Sequence, residues 1–209
     1  MFILKSTNQF IPQICQLLTQ GVVVAAPTET AFGLMTNALN KKAVAQIIKI
    51  KGRTKSSERN KPIALVASDL SMVKKYFYLN KAELDLAKKF WPGALTILLK
   101  PKIKFLRTVT GPHNLVGVRV PDQAWLCKLI KTFSRPLTAT SANLASQPAL
   151  YNFQNVIRAL GKNGLEYVVE GNLRRNSVST VIKVVNDKII ILRQGKVKIP
   201  KTQIPIPKI

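Results

Sequence analysis

Acidic residues are scarce in this chain: nine Asp and Glu stand against 33 Lys and Arg in 209 residues. The acids are Glu29, Glu58, Asp69, Glu83, Asp85, Asp122, Glu166, Glu170 and Asp187, and none forms a DxD, an ExxH or another tight carboxylate cluster. Histidine occurs once, at His113. An all-protein metal cage, a Ser-His-Asp triad and a local carboxylate pair are therefore poorly supported, and no protein metal site is expected. Any catalysis would rest on cations, amides and hydroxyls. Cysteine is nearly absent. Cys15 and Cys127 sit in apolar helix-like patterns without a CxxC partner and read as buried, reduced thiols. No apolar run reaches the length of a spanning helix. The opening "MFILKSTNQF" lacks the charged, apolar and small-residue regions of a secretory signal. These absences lead us to expect a cytoplasmic protein with no membrane partner.

Positive charge and apolar residues are plentiful. The formal charge is +24, and 46% of the residues are hydrophobic, enough for a real core. A field of that sign draws RNA, DNA, nucleotides or anionic membrane, although a general taste for lysine gives the same total. The excess is spread along the whole chain.

Periodicity predicts alternating helices and strands. Phe10, Ile14, Leu17 and Leu18 fall at helical spacing in 7–20, with Gly21 as a stop. "VVVAA" (22–26) reads as a buried strand and "PTETAFGL" as a loop. A helix is expected over 41–50 with Asn40 as cap, and "IALVA" (63–67) as a strand. Two amphipathic helices follow, capped near Ser68 or Asp69 and near Asn80. "WPGALTILLK" is a turn into a strand, "LVGVRVP" (115–121) another strand, and 122–133 a helix capped by Asp122. "PLTAT" is a strand, "SAN" a turn, and "NFQNVIRAL" a helix ended by Gly161. "VSTVIKVV" and "KIIILRQG" form a hairpin turning at Asn186-Asp187. Without tidy βαβ repeats, this favours an α/β fold: one domain with a twisted mixed β-sheet and packed helices. The body is expected over 1–196. Residues 197–209, rich in Pro and Lys, read as an extended tail along the body.

Polar residues concentrate where such sheets bind ligands, at strand ends. "PTET" offers Thr28, Glu29 and Thr30; "SAN" offers Ser141 and Asn143; "STV" offers Ser179 and Thr180; "LRQG" offers Arg193. Each alone more often caps a helix or closes a turn. In "KGR", Lys51 and Arg53 bracket a glycine just past a helix end. In an extended segment both would point the same way and could share one anion. The bland alternative is a pair of cations complementing a helix C-terminus. Arg119 lies inside an apolar strand and needs an anion, either an internal acid or a substrate carboxylate. Trp91 could stack on a base or pack in the core.

"PTETAFGL", "KIKGR", "KPIALVA", "WPGALTILL", "VGVRVP", "SAN" and "STVI…ILRQG" occur in this order. Over roughly residues 10–196 the chain resembles the threonylcarbamoyl-AMP synthases of the YrdC/TsaC family, in the short single-domain bacterial form. The resemblance implies a YrdC-like fold with a concave basic cavity. It also implies the formation of threonylcarbamoyl-adenylate and pyrophosphate from ATP, L-threonine and bicarbonate, usually with Mg2+. The threonylcarbamoyl group would then pass, through a tRNA-modifying threonylcarbamoyl transferase complex, to the adenosine beside the anticodon. By position, Lys51, Arg53, Ser141 and Asn143 match the family's catalytic and nucleotide-binding motifs, and Lys61 and Arg193 its further ATP contacts. Thr30, Arg119 and Ser179 match its threonine contacts, with Arg119 taking the carboxylate. The nucleophile comes from the substrates, which agrees with the missing triad.

The chain departs from the family pattern in three places. The segment between Arg53 and Pro62 is longer than usual, with Thr54 where proline is typical, and Lys55–Asn60 reads as an enlarged flap. Ala67 stands where longer members have a histidine. Ala139 stands where some have a hydroxyl, which Thr138 or Thr140 could supply. The competing reading is an RNA-binding protein, such as a double-stranded RNA or rRNA maturation factor, using the same basic surface.

Overall fold

The computed structural model describes residues 1–53, 61–111, 113–173 and 178–199. In chain order the elements are β1 (Phe2–Leu4), α1 (Ile11–Thr19), β2 (Val24–Pro27), β3 (Phe32–Met35), α2 (Lys41–Ile50), β4 (Leu65–Val66), α3 (Leu70–Tyr76), β5 (Phe77–Tyr78), α4 (Lys81–Phe90), β6 (Leu95–Pro101), α5 (Arg107–Thr110), β7 (Val116–Arg119), α6 (Ala124–Phe133), β8 (Leu137–Thr138), β9 (Thr140–Ser141), α7 (Phe153–Leu160), β10 (Tyr167–Val169), β11 (Thr180–Val185) and β12 (Lys188–Arg193). Several helices begin where a side-chain oxygen meets their first free amides. Asn40 Oδ1 accepts from Ala43 N at 3.1 Å, and Asp69 Oδ1 from Met72 N at 2.8 Å. Asn80 and Glu83 form a reciprocal capping box at the start of α4. At α6 the cap position falls on Gln123 rather than Asp122, and no side-chain cap bond forms.

The α/β class holds, and the mixed strands divide into two sheets. One has the order β1-β10-β2-β3-β9; the other runs β12-β11-β6-β7-β4-β8, with β5 added on β6. Both contain parallel and antiparallel pairs. α1 and α6 cover one face of the first sheet, through Ile14, Leu18, Leu129 and Ile130 against Val24, Ala26 and Val169. The alternating residues Ala25, Leu34 and Val168 join the main core, together with Leu65, Ile97 and Val118 of the second sheet.

The hairpin at the end of the body turns as its sequence requires. Asn186 and Asp187 have φ of 48° and 59°. Positive φ at both central positions is the twist that matches right-handed strands. Part of the segment expected as loop, the "FGL" of "PTETAFGL", instead belongs to β3, hydrogen-bonded to β2 and β9. All four of its residues are buried, so no polar alternation announces it. The body also reaches beyond 196: Ile199 is buried in the main core, and Val197 O accepts from Thr180 Oγ1 at 2.7 Å. The rest of the expected tail, from 200 on, and the flap at Lys55–Asn60 lie outside the described residues. Among the described residues no helix is long and apolar enough to cross a membrane.

Candidate active site

Strand alternation builds the site. On the second sheet, Leu95, Ile97, Val116 and Val118 are fully buried in the core. Their neighbours Thr96, Leu98, Gly117 and Arg119 point to the other face and line a cavity of about 570 Å³. Gly33, Thr140 and Ser141 of the first sheet close it from across, and Ser179 and Arg193 stand at one end. Among the described residues the lining contains Arg119 and Arg193 and no Asp or Glu.

Six of the nine expected site residues meet at this cavity: Thr30, Arg119, Ser141, Asn143, Ser179 and Arg193. They come from chain segments far apart in sequence. Of the two hydroxyls considered beside Ala139, Thr140 faces the cavity. Thr138 is spent inside, donating to Leu34 O at 3.1 Å and accepting from Thr36 N at 2.9 Å.

Lys51, Arg53 and Lys61 stand apart from the lining. The expected extended spacing in "KGR" does not occur, because Gly52 adopts φ of 59° at the end of α2. Gly52 N bonds Lys49 O at 2.9 Å and Arg53 N bonds Ile48 O at 3.1 Å, a Schellman closure that needs a residue tolerant of the left-handed region. The two cations therefore diverge. Arg53 Nη1 donates to Lys61 O at 2.9 Å, so Lys61 contributes its carbonyl there while its side chain is exposed. Lys51 is 3% exposed and runs beneath the Ser-Ala-Asn turn. Its Nζ donates to Ser141 O at 2.5 Å, Asn143 O at 2.9 Å and Asn143 Oδ1 at 3.1 Å. Burial, and then the neighbouring Arg53, pull the Lys51 ammonium down to about 7. The turn is tightened further by Ser141 Oγ donating to Asn143 Oδ1 at 2.5 Å, and by Asn143 Nδ2 donating to Gln147 O.

Arg119 finds an internal acid. Its Nη1 lies 2.5 Å from Glu29 Oε1 and donates to Thr30 Oγ1 at 3.2 Å. The residue is 6% exposed. Burial lowers its pKa, and the Glu29 carboxylate works against that shift. The "PTET" turn holds both partners in place, with Thr28 Oγ1 donating to Ala31 O at 2.7 Å and accepting from Thr30 N at 3.2 Å. Arg193 grips Ser179, donating to its carbonyl from Nε at 3.1 Å and Nη2 at 3.0 Å, and to its Oγ from Nη2 at 2.9 Å. Burial and then the charge of Arg119 lower the Arg193 pKa, which places both guanidinia in one field. Trp91 takes a structural part, Nε1 donating to Leu95 O at 2.7 Å.

Sequence reading missed the Glu29 partnership, Thr96 and Gly117. The signal was available: if Arg119 faces a ligand, Gly117 shares its face, and pairing with "ALTILL" brings in Thr96 and Leu98. A Cβ added at Gly117 would lie 3.2 Å from Thr96 Cγ2 and 3.4 Å from Leu98 Cδ2, on the cavity side. Gly117→Val should therefore fill the cavity floor. We expect at least a tenfold loss of ligand affinity by calorimetric titration. The circular-dichroism melt should fall by no more than about 10 °C, because Thr96 and Leu98 must give way to the new Cβ while the remaining bulk extends into the cavity.

A family model described as "Telomere recombination", covering Sua5, YciO and YrdC, matches residues 16–195. The chain belongs to the Sua5/YciO/YrdC family. A Bacillus subtilis relative named threonylcarbamoyl-AMP synthase is 36% identical over 196 residues, covering 91% of this chain and 55% of the relative. A Buchnera aphidicola relative of the same name is 32% identical over 172 residues, covering 80% of this chain and 95% of the relative. The crystal structure of Pyrococcus abyssi Sua5 complexed with L-threonine superposes with a TM-score of 0.84 at 30% identity, covering 93% of this chain and 58% of that one. The chain thus spans little more than half of the longer relatives and nearly all of the short one.

Proposed function

We propose that this chain is an L-threonylcarbamoyladenylate synthase, a nucleotidyltransferase that uses ATP, L-threonine and bicarbonate. The observation that carries the reading is the buried Arg119 guanidinium, with the Thr30 and Ser179 hydroxyls, lining a cavity large enough for an amino acid beside a nucleotide. The matched Sua5 structure contains L-threonine.

In this reading Arg119 takes the threonine carboxylate as a charge-assisted contact. The threonine nitrogen gains CO2 and loses protons to become a carbamate. A carbamate oxygen attacks the α-phosphorus of ATP, and pyrophosphate leaves. The nucleophile is supplied by substrate, so positioning and fixed positive charge do the protein's share. Ser141 and Asn143 border the phosphate path, held to shape from beneath by Lys51. Arg53 and Arg193 are the remaining candidates for nucleotide phosphates. Among the described residues the lining offers no carboxylate for a magnesium cage. Any magnesium would arrive on the nucleotide, held by phosphate oxygens and water. The product would pass to a tRNA-modifying transferase complex.

Pyrophosphate release from ATP should require both threonine and bicarbonate. Equal release with serine, or with no amino acid, would overturn the reading. The +24 charge keeps RNA as a second candidate ligand, but no feature of the cavity calls for it, and the named relatives favour the synthase.

A further inference from the structure

Thr96 lies within "WPGALTILL", a stretch from which the resemblance carries over no ligand contact, yet it stands on the polar wall of the cavity. It is 4% exposed, and Ser179 is 8% exposed. Their hydroxyl oxygens are 2.9 Å apart. The ladders place Thr96 between two cavity residues. Val181 is its partner on β11. On the other side, β6 and β7 pair antiparallel with Leu98 opposite Gly117 and Ile97 opposite Val118, so the next step sets Thr96 opposite Arg119.

Counting protons on this wall gives a definite result. Two hydroxyls carry two protons between them, and the bond joining them consumes one. Arg193 cannot accept, because a guanidinium only donates, so its 2.9 Å contact fills a lone pair of Ser179 Oγ. Among the described residues neither hydroxyl has another acceptor. One O–H proton is therefore left over, on the cavity wall, beside the guanidinium that would hold a carboxylate. Either residue can present it, depending on which way the mutual bond runs.

We propose that Thr96 is a specificity-determining residue: it and Ser179 form a shared one-proton donor that reads the β-hydroxyl oxygen of the amino-acid substrate. The inference rests on the synthase reading, because it takes the substrate carboxylate to sit on Arg119. A substrate oxygen two carbons from that carboxylate accepts the spare proton. A substrate with a methyl group there leaves the donor buried and unmade, which is the costly case.

The pair predicts redundancy. Thr96→Val leaves the Ser179 proton, and Ser179→Ala leaves the Thr96 proton, but the double variant has none. The measurement is the affinity for threonine and for its near-isostere valine, by calorimetric titration in the presence of a non-hydrolysable ATP analogue. Each single variant should keep the wild-type threonine-over-valine preference within about threefold, and the double variant should lose at least about tenfold of it. Thr96→Ser combined with Ser179→Ala should keep the preference that Thr96→Val combined with Ser179→Ala loses, since serine retains the hydroxyl. Thermal melts on the same samples report whether the fold is intact.

Three results would overturn the inference: a double variant that discriminates as wild type does, a Ser179→Ala variant that loses as much as the double, or a double variant that weakens threonine and valine equally. The last would mean that the spare proton serves the carboxylate. Wild-type protein that binds no threonine would instead overturn the synthase reading, and the inference with it.

Discussion

Replacing Arg119 by methionine should lower threonine-dependent pyrophosphate release about a thousandfold in kcat/KM. That factor corresponds to about 4 kcal/mol of transition-state stabilisation, within the range for removing one partner of a desolvated, hydrogen-bonded charge pair. The same change should lower stability, because Glu29 loses the guanidinium 2.5 Å from its carboxylate. Breaking a buried pair from one side costs about 3–5 kcal/mol. The two effects separate in the double variant Arg119→Met with Glu29→Gln. Neutralising the acid should recover most of the melting temperature and none of the activity. Activity above a tenth of wild type in either variant would remove Arg119 from the carboxylate role. A double variant no more stable than the single would show that the ion pair is not what the fold misses.

Lys51→Met should lose both activity and stability, for a reason the motif alone does not give. The ammonium ties together Ser141 O, Asn143 O and Asn143 Oδ1 beneath the turn that borders the cavity. Removing it leaves Asn143 O without its donor, at about 1–3 kcal/mol, while Ser141 O keeps Asn143 N and Asn143 Oδ1 keeps Ser141 Oγ. A fall in melting temperature of roughly 5–10 °C follows for a domain of this size. Nucleotide-dependent turnover should fall at least about a hundredfold, as the Ser141–Asn143 geometry loosens.

A pH signature distinguishes this strut from an exposed phosphate ligand. The folded-state pKa of Lys51 is about 7 against an ordinary 10.5. Between those values the unfolded chain binds the proton more tightly, so stability rises with pH. The burden of the charged form is full below about 7 and fades as pH approaches 10.5. The stability of wild type relative to Lys51→Met should therefore increase from pH 7 to pH 10, measured by denaturant titration. A constant difference would mean that the lysine is solvated in the native state.

Much of the fold was legible from local chemistry. Asn40, Asp69 and Asn80 announced their helices because a short side-chain acceptor at a helix start satisfies amides that nothing else reaches. Asn186-Asp187 announced its hairpin because both residues tolerate positive φ. β1, β3 and β10 were not legible. β3 is buried on both sides between β2 and β9, and a short run with neither polar alternation nor helical period has no signature of its own.

The candidate site divides the same way. The sequence by itself determined which residue types were on hand: hydroxyls at strand ends, a buried arginine that had to find an anion, and no triad or carboxylate cluster. It left open whether the partner of Arg119 was an internal acid or a ligand, and which way the two cations of "KGR" pointed. The tertiary structure decided both. The left-handed conformation at Gly52 turned Lys51 beneath the Ser-Ala-Asn turn and Arg53 toward Lys61 O. The "PTET" turn brought Glu29 to Arg119 across 90 residues of chain. Thr96 became a neighbour of Arg119 only through the register of β6 on β7. Such encounters depend on strand order and register, which arise from the packing of the whole core, whereas caps and turns depend on a few adjacent residues.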